Sequence, residues 1–304
     1  MRIGLMAGAT AVTGSGLQAI VDYAKMAEEK GFDTIWLANI FGIDAIGACA
    51  IAGWETSRIE FGTAVTPSYP RHPTALAQQA VTTSVACDGR FALGIGLSHK
   101  MVIEDMLGLS YDKPARHMKE YLQVLAPLLK GEPVDFSGDQ YTVKLALDIP
   151  GATPVPLILA ALGPAMLKLA GTYADGTTTW MTGPKTLGSH IVPSIVKAAE
   201  EAGRAAPRIV CGLPIVVTND VEGAKARISK ELAIYGILPS YRAMMDREGA
   251  AGPADVAIVG DESTVRSAIQ GLRDAGVTDF NAAIVPIEDG SADATLDLLQ
   301  SELA

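Results

Sequence analysis

Short apolar runs alternate with longer amphipathic stretches eight times along this 304-residue chain, and few folds satisfy that order. The runs are Arg2–Met6, Thr34–Ala38, Ile59–Val65, Phe91–Gly96, Val155–Ala161, Gly176–Met181, Arg208–Thr218 and Asp279–Pro286. Most are apolar along much of their length rather than on alternate residues, as strands buried on both faces of a parallel sheet must be. Between the first two, Leu17–Lys30 sets Ile20, Ala24 and Ala27 against Asp22, Lys25, Glu28 and Glu29 at helix spacing, and Gly31 ends it. Asp44–Trp54, Thr74–Ala86, Pro114–Leu129, Pro164–Tyr173, Leu187–Ala202, Glu222–Tyr235 and Glu262–Ala275 read as further helices. Eight parallel strands with intervening helices close a sheet on itself, so the expected fold is α/β, a (βα)8 TIM barrel forming one domain over residues 1–304. A doubly wound sheet is the alternative, but it rarely holds eight units of such regularity. Two segments interrupt the rhythm. Gly131–Pro154, after the fourth helix, has the turn residues of a hairpin, and Leu238–Ala254, after the seventh, reads as a lid.

Charge and cysteine content narrow the function. With 24 Lys and Arg against 34 Asp and Glu the net charge is −10, a field that repels nucleic acid and anionic lipid. The expected partner is therefore a small molecule, not nucleic acid or membrane. Cys49, Cys87 and Cys211 are far apart in small or apolar surroundings and read as buried, reduced thiols. No basic-then-apolar leader and no apolar run of spanning length occur, so the expected location is cytoplasmic.

Self-contained catalytic motifs are missing. Gly94-Ile95-Gly96-Leu97-Ser98 begins like a dinucleotide loop, but His99 follows where a third glycine would sit. There is no phosphate-loop lysine motif, no H-E-x-x-H, no G-x-S-x-G elbow, and no metal-ligand spacing among the four histidines. A barrel with neither hydrolytic nor metal signature points to chemistry borrowed from an organic cofactor. In such a barrel the working loops follow the strands' carboxyl ends. His72, His99, Thr182 and Lys185 fall there, with His99 the candidate for chemistry and His72 the candidate loop brace. His117 reads as part of a solvated helix face, and His190 as structural.

Four blocks carry a resemblance that spans nearly the whole chain. They are Phe61 through Pro73, Gly89 through Gly96, Ala160 through Met166 with Ala174-Asp175-Gly176, and Val259 through Glu262 with Ala275-Gly276-Val277. Together they resemble the luciferase-like monooxygenase superfamily, and within it the actinobacterial branch that uses coenzyme F420, a 5-deazaflavin. That resemblance implies a cis peptide at Ala64–Val65 behind the cofactor ring, with Thr66 next to it. It implies a phosphate near Ala160, Ala161, Leu162 and Gly163, with Pro164 opening the following helix. It implies further cofactor contacts at Gly96, Leu97 and Ser98, and at Trp180, Met181 and Thr182. FMN in a monooxygenase is the alternative cofactor, and a catalytically silent flavin-binding barrel is a third reading.

Departures from the family also inform. The sugar-phosphate dehydrogenase branch has an Asp-His pair where this chain has Asn39-Ile40, and a Glu where it has His99. His99 and Asn39 are accordingly the candidate catalytic residues, and a sugar phosphate is not the expected substrate. Tyr235, Leu238, Tyr241, Met244 and Met245 in and beside the lid suggest a substrate with an apolar body. The helix Asp44–Trp54 carries almost no charge on any face, so a homodimer through it is expected, with Ala48 and Ala52 as the positions to disrupt.

Overall fold

The computed structural model describes residues 1–7 and 16–303. Eight parallel strands close into a barrel: β1 (Arg2–Ala7), β2 (Thr34–Leu37), β3 (Glu60–Thr63), β4 (Phe91–Gly96), β5 (Leu157–Ala160), β6 (Gly176–Trp180), β7 (Arg208–Val217) and β8 (Asp279–Ile284). Each pairs with the next, and β8 pairs with β1 in the register Arg2 with Asp279 and Gly4 with Asn281, which completes the ring. The fold is the expected (βα)8 barrel.

Inward residues stack in layers. At the amino end Arg2 and Arg208 interleave with Glu60 and Asp279, with Arg208 Nη2 2.8 Å from both Glu60 Oε1 and Asp279 Oδ1. Burial pushes both carboxyls up, and the neighbouring guanidinium of Arg2 pulls them back. Above this plug Trp36, Ala92, Ile158 and Val210 fill the bore, and the Trp36 ring lies 5.7 Å from the Arg208 guanidinium. Gly62 opens the space that Trp36 occupies, since a Cβ there would collide with the indole. The bore is thus sealed below, and any chamber must lie at the carboxyl end.

Differences from the sequence reading are local. The third run does not continue to Val65. It stops at Thr63 and resumes as Thr66–Pro67 against β4, and the Ala64–Val65 peptide between is cis. The Thr63 hydroxyl substitutes for the ladder there, donating to Gly94 O (2.7 Å) and accepting from Gly94 N (3.0 Å). The helix expected over 187–202 opens with a π-helical turn, Leu187–Ile191, and the one expected over 222–235 ends at Glu231. Both insertions are present. The first contains the hairpin Val134–Ser137 with Thr142–Leu145, and the second holds the helix Pro239–Glu248. A short strand, Ile258–Gly260, and a last helix, Ser291–Ser301, were not expected. Among the described residues no helix is long and apolar enough to cross a membrane, and no side-chain cluster could hold a metal.

Candidate active site

A cavity of about 260 Å³ opens at the carboxyl ends of the strands. Its walls come from Met6 on β1, the Asn39 turn after β2, the Ala64–Val65 bulge, the segment Gly96–His99, the β5 end through Gly163, Trp180, and Asn281 on β8. Of the residues singled out from sequence, Asn39, Ala64, Val65, Gly96, Leu97, Ser98, His99, Ala160, Leu162, Gly163 and Trp180 converge on it. Thr66, Ala161, Pro164, Met181 and Thr182 do not line it. Thr66, Ala161, Met181 and Thr182 are buried behind the wall, and Pro164 is exposed at the first position of its helix.

Close backbone approach explains the glycines at the end of β4. A Cβ on Gly94 would strike the Thr63 carbonyl, and one on Gly96 would lie 2.7 Å from Val65 Cγ2. Bulge and strand end therefore form one continuous wall. The chain then turns through Ser98 at φ 60°, a left-handed conformation uncommon for a residue with a side chain. The Tyr111 hydroxyl donates to Ser98 O at 3.2 Å and holds that turn, which sets His99 at the mouth. The His99 ring lies 5.8 Å from Tyr241, Tyr241 is edge-on to Tyr235 at 5.1 Å, and Tyr235 meets Trp180 at 6.0 Å. The lid insertion thus closes one side of the chamber with aromatic rings.

Electrostatically the chamber is neutral. Among the described residues it has no Lys, Arg, Asp or Glu lining, and residues 8–15 include none of these types in sequence. Burial pushes the hydroxyls of Tyr111, Tyr235 and Tyr241 up and holds the His99 imidazole below its ordinary value of 6.5, so all four are uncharged at neutral pH. Asn39 lines the wall while its Oδ1 accepts from Ala45 N at 3.0 Å, bracing the next helix start. Asn281 is fully buried, and neither end of its amide has a partner among the described residues; Trp180 Nε1 is also unpartnered. Leaving a buried amide unpaired costs about 1–3 kcal/mol per group. These orphans suit a ligand ring with polar edges. Asn281 escaped the sequence reading, although an Asn in the apolar run Phe280–Val285 was its signal.

The α-helix Pro164–Tyr173 begins beside the chamber with Gly163 as its cap residue, at φ −85° with open space where a side chain would go. No side chain caps it, so its first N–H groups are available to an anion. His190 Nε2 donates to Leu162 O at 2.8 Å, fixing this turn from outside. Lys185 reaches toward Glu248 O instead of the chamber. His72 is the brace expected, capping the helix Pro73–Ala86 through Thr74. His117 corrects the sequence reading. It is 4% exposed, stacked on Tyr69 at 4.0 Å and hydrogen-bonded to Ser68 and Gln140, because the hairpin folds over that helix face.

A family model described as luciferase-like monooxygenase matches residues 1–279. A 5,10-methylenetetrahydromethanopterin reductase from Methanolobus tindarius is 28% identical over 242 residues, 79% of this chain and 74% of the relative. An F420-dependent glucose-6-phosphate dehydrogenase from Nakamurella multipartita is 28% identical over 275 residues, 83% and 78% of the two chains. In fold, a monooxygenase from Streptomyces bottropensis superposes with a TM-score of 0.80 at 17% identity, over 100% of this chain and 98% of that one.

Proposed function

This chain belongs to the luciferase-like monooxygenase family, and on that premise we propose that it is a coenzyme F420-dependent oxidoreductase acting on a small, neutral organic substrate. The observation that carries the reading is the single neutral chamber joining the Ala64–Val65 bulge to the uncapped helix at Gly163. The named function of the Nakamurella relative favours the same cofactor. Orphaned polar groups at Asn281 and Trp180, and the open space at Gly163, fit a ring system that carries a phosphate.

When bound, a deazaflavin would supply hydride transfer at a ring carbon that stands where a flavin has a nitrogen. Ala64 and Val65 wall the ring site, with Gly96, Leu97 and Ser98 beside them, and Leu162 and Gly163 hold the phosphate at the helix end. His99, neutral and at the mouth, orients the substrate and supplies or accepts its proton, and the Asn39 amide assists in orientation. Charged substrates find no counter-ion in this chamber, so burying one there is unfavourable. With the uncapped helix end taken by the cofactor phosphate, the proposed substrate is not a sugar phosphate such as that named for the Nakamurella relative.

The protein also forms a two-fold homodimer in this proposal. On the helix Ala45–Trp54, Ile51 is 46% and Trp54 75% exposed, and Phe41 in the preceding loop is exposed as well. Ala48 and Ala52, the positions sequence suggested for disruption, are buried against their own barrel, so Ile51 and Trp54 replace them in any test. Fluorescence titration with F420 and with FMN checks the cofactor assignment. Saturable binding of F420 with weak or no binding of FMN is expected, whereas binding of FMN alone overturns it.

A further inference from the structure

We propose that the Asn281 carboxamide reads the imide edge of the cofactor ring, a role that rests on the F420 reading above. Asn281 is the third residue of β8, with Gly4 of β1 and Gly212 of β7 as its paired neighbours. Glycine at both flanks leaves Asn281 without side-chain neighbours at its own level on either strand. Its amide is fully buried, yet neither Oδ1 nor Nδ2 has a partner among the described residues, and the residue lines the chamber. A primary amide presents one acceptor and two donors in a plane. A flat edge carrying an N–H next to a carbonyl satisfies both ends together. The pyrimidinedione ring of a deazaflavin has that edge, with Nδ2 donating to a ring carbonyl and Oδ1 accepting from the ring N–H. A saturated apolar substrate would satisfy neither end and leave the amide bare.

Two other lining groups, Trp180 Nε1 and Thr179 Oγ1, are also unpartnered, but each offers a single polar atom and not the paired edge of an amide. His99 and Tyr241 pack together at the mouth, Tyr111 is committed to Ser98, and Asn39 Oδ1 is committed to Ala45. Asn281 also has no structural task to justify its burial, because it bonds to nothing in the protein described. A residue kept for a ligand alone should be replaceable without harm to the empty protein.

The test pairs a ligand change with a residue change, using 5-deazariboflavin and its N3-methyl derivative as probes and fluorescence quenching as the readout. Wild-type protein is expected to bind the parent at least about tenfold more tightly than the methylated ring. Asn281→Leu, close to isosteric, is expected to bind the parent about tenfold more weakly, to lose the preference, and to melt no lower than wild type in the absence of ligand. Equal binding of both probes by wild type, or a preference that survives Asn281→Leu, overturns the inference while leaving the cofactor reading intact. Failure of wild type to bind either probe overturns the inference, and failure to bind F420 itself overturns the cofactor reading with it.

Discussion

His99 sits where backbone geometry and desolvation act on one imidazole. The left-handed turn at Ser98 aims the chain at the mouth, and partial burial holds the ring below its ordinary 6.5. A neutral ring at pH 7 is therefore its resting state, and protonation requires a lower pH than for a free histidine. With the neutral ring acting as proton acceptor, turnover should stay level as pH falls to 6.5 and decline only below it. His99→Gln keeps an N–H but cannot titrate, so it should erase that decline, while His99→Ala should slow turnover roughly a hundredfold. A wild-type acid limb lying above 6.5 would contradict this account. The sign for stability is the same. The unfolded chain takes up the proton first as pH drops through 6.5, so His99 lowers stability only on the acid side. Its position was legible in sequence because it ends a Gly-x-Gly strand, whereas the burial of His117 was not. That burial depends on a hairpin turn twenty-three residues along the chain, whose Gln140 meets His117 with its side chain and donates its N–H to Glu120 at 2.8 Å.

Among the elements, the helix Pro164–Tyr173 has an uncapped end that in the proposed function serves a ligand at the expense of stability. Gly163 supplies no capping oxygen, and its φ of −85° suits any residue. Gly163→Asp should therefore stabilise the empty protein by a few tenths of a kcal/mol, about the difference between aspartate and glycine caps. The same carboxylate would occupy the N–H groups and repel a phosphate, weakening F420 binding by about tenfold or more. Calorimetry with and without F420 separates the two effects, and unchanged affinity would place the phosphate elsewhere. Runs apolar along much of their length made most of the eight strands legible, because burial on both faces narrows composition, whereas Gly176–Trp180 carries three buried threonines. The strand Ile258–Gly260 was hidden by its three-residue length. Ser291–Ser301 was hidden by a start of small and acidic residues after Gly290, its buried side resting on only Ser291, Thr295, Leu298 and Leu299. The break in β3 was legible only through resemblance, since nothing in the periodicity of Phe61–Val65 demands it.

At the scale of the molecule, a sealed amino end and an aromatic lid leave one neutral chamber whose walls are drawn from most of the barrel strands. The outer surface adds an apolar stripe at Ile51 and Trp54 that a single chain leaves in water. Ile51→Lys with Trp54→Glu should convert a dimer into a folded monomer by light scattering at micromolar concentration. A native protein already monomeric there would remove the dimer from the account. The central claim is that this chamber holds the deazaflavin, with its ring on the bulge and its phosphate on the helix end. A crystal structure of the protein with F420 bound tests it most directly. Ring density is expected against Ala64 and Val65, and phosphate density within hydrogen-bond reach of the Gly163 turn. Density for F420 anywhere else, or an empty chamber at saturating F420, would contradict it.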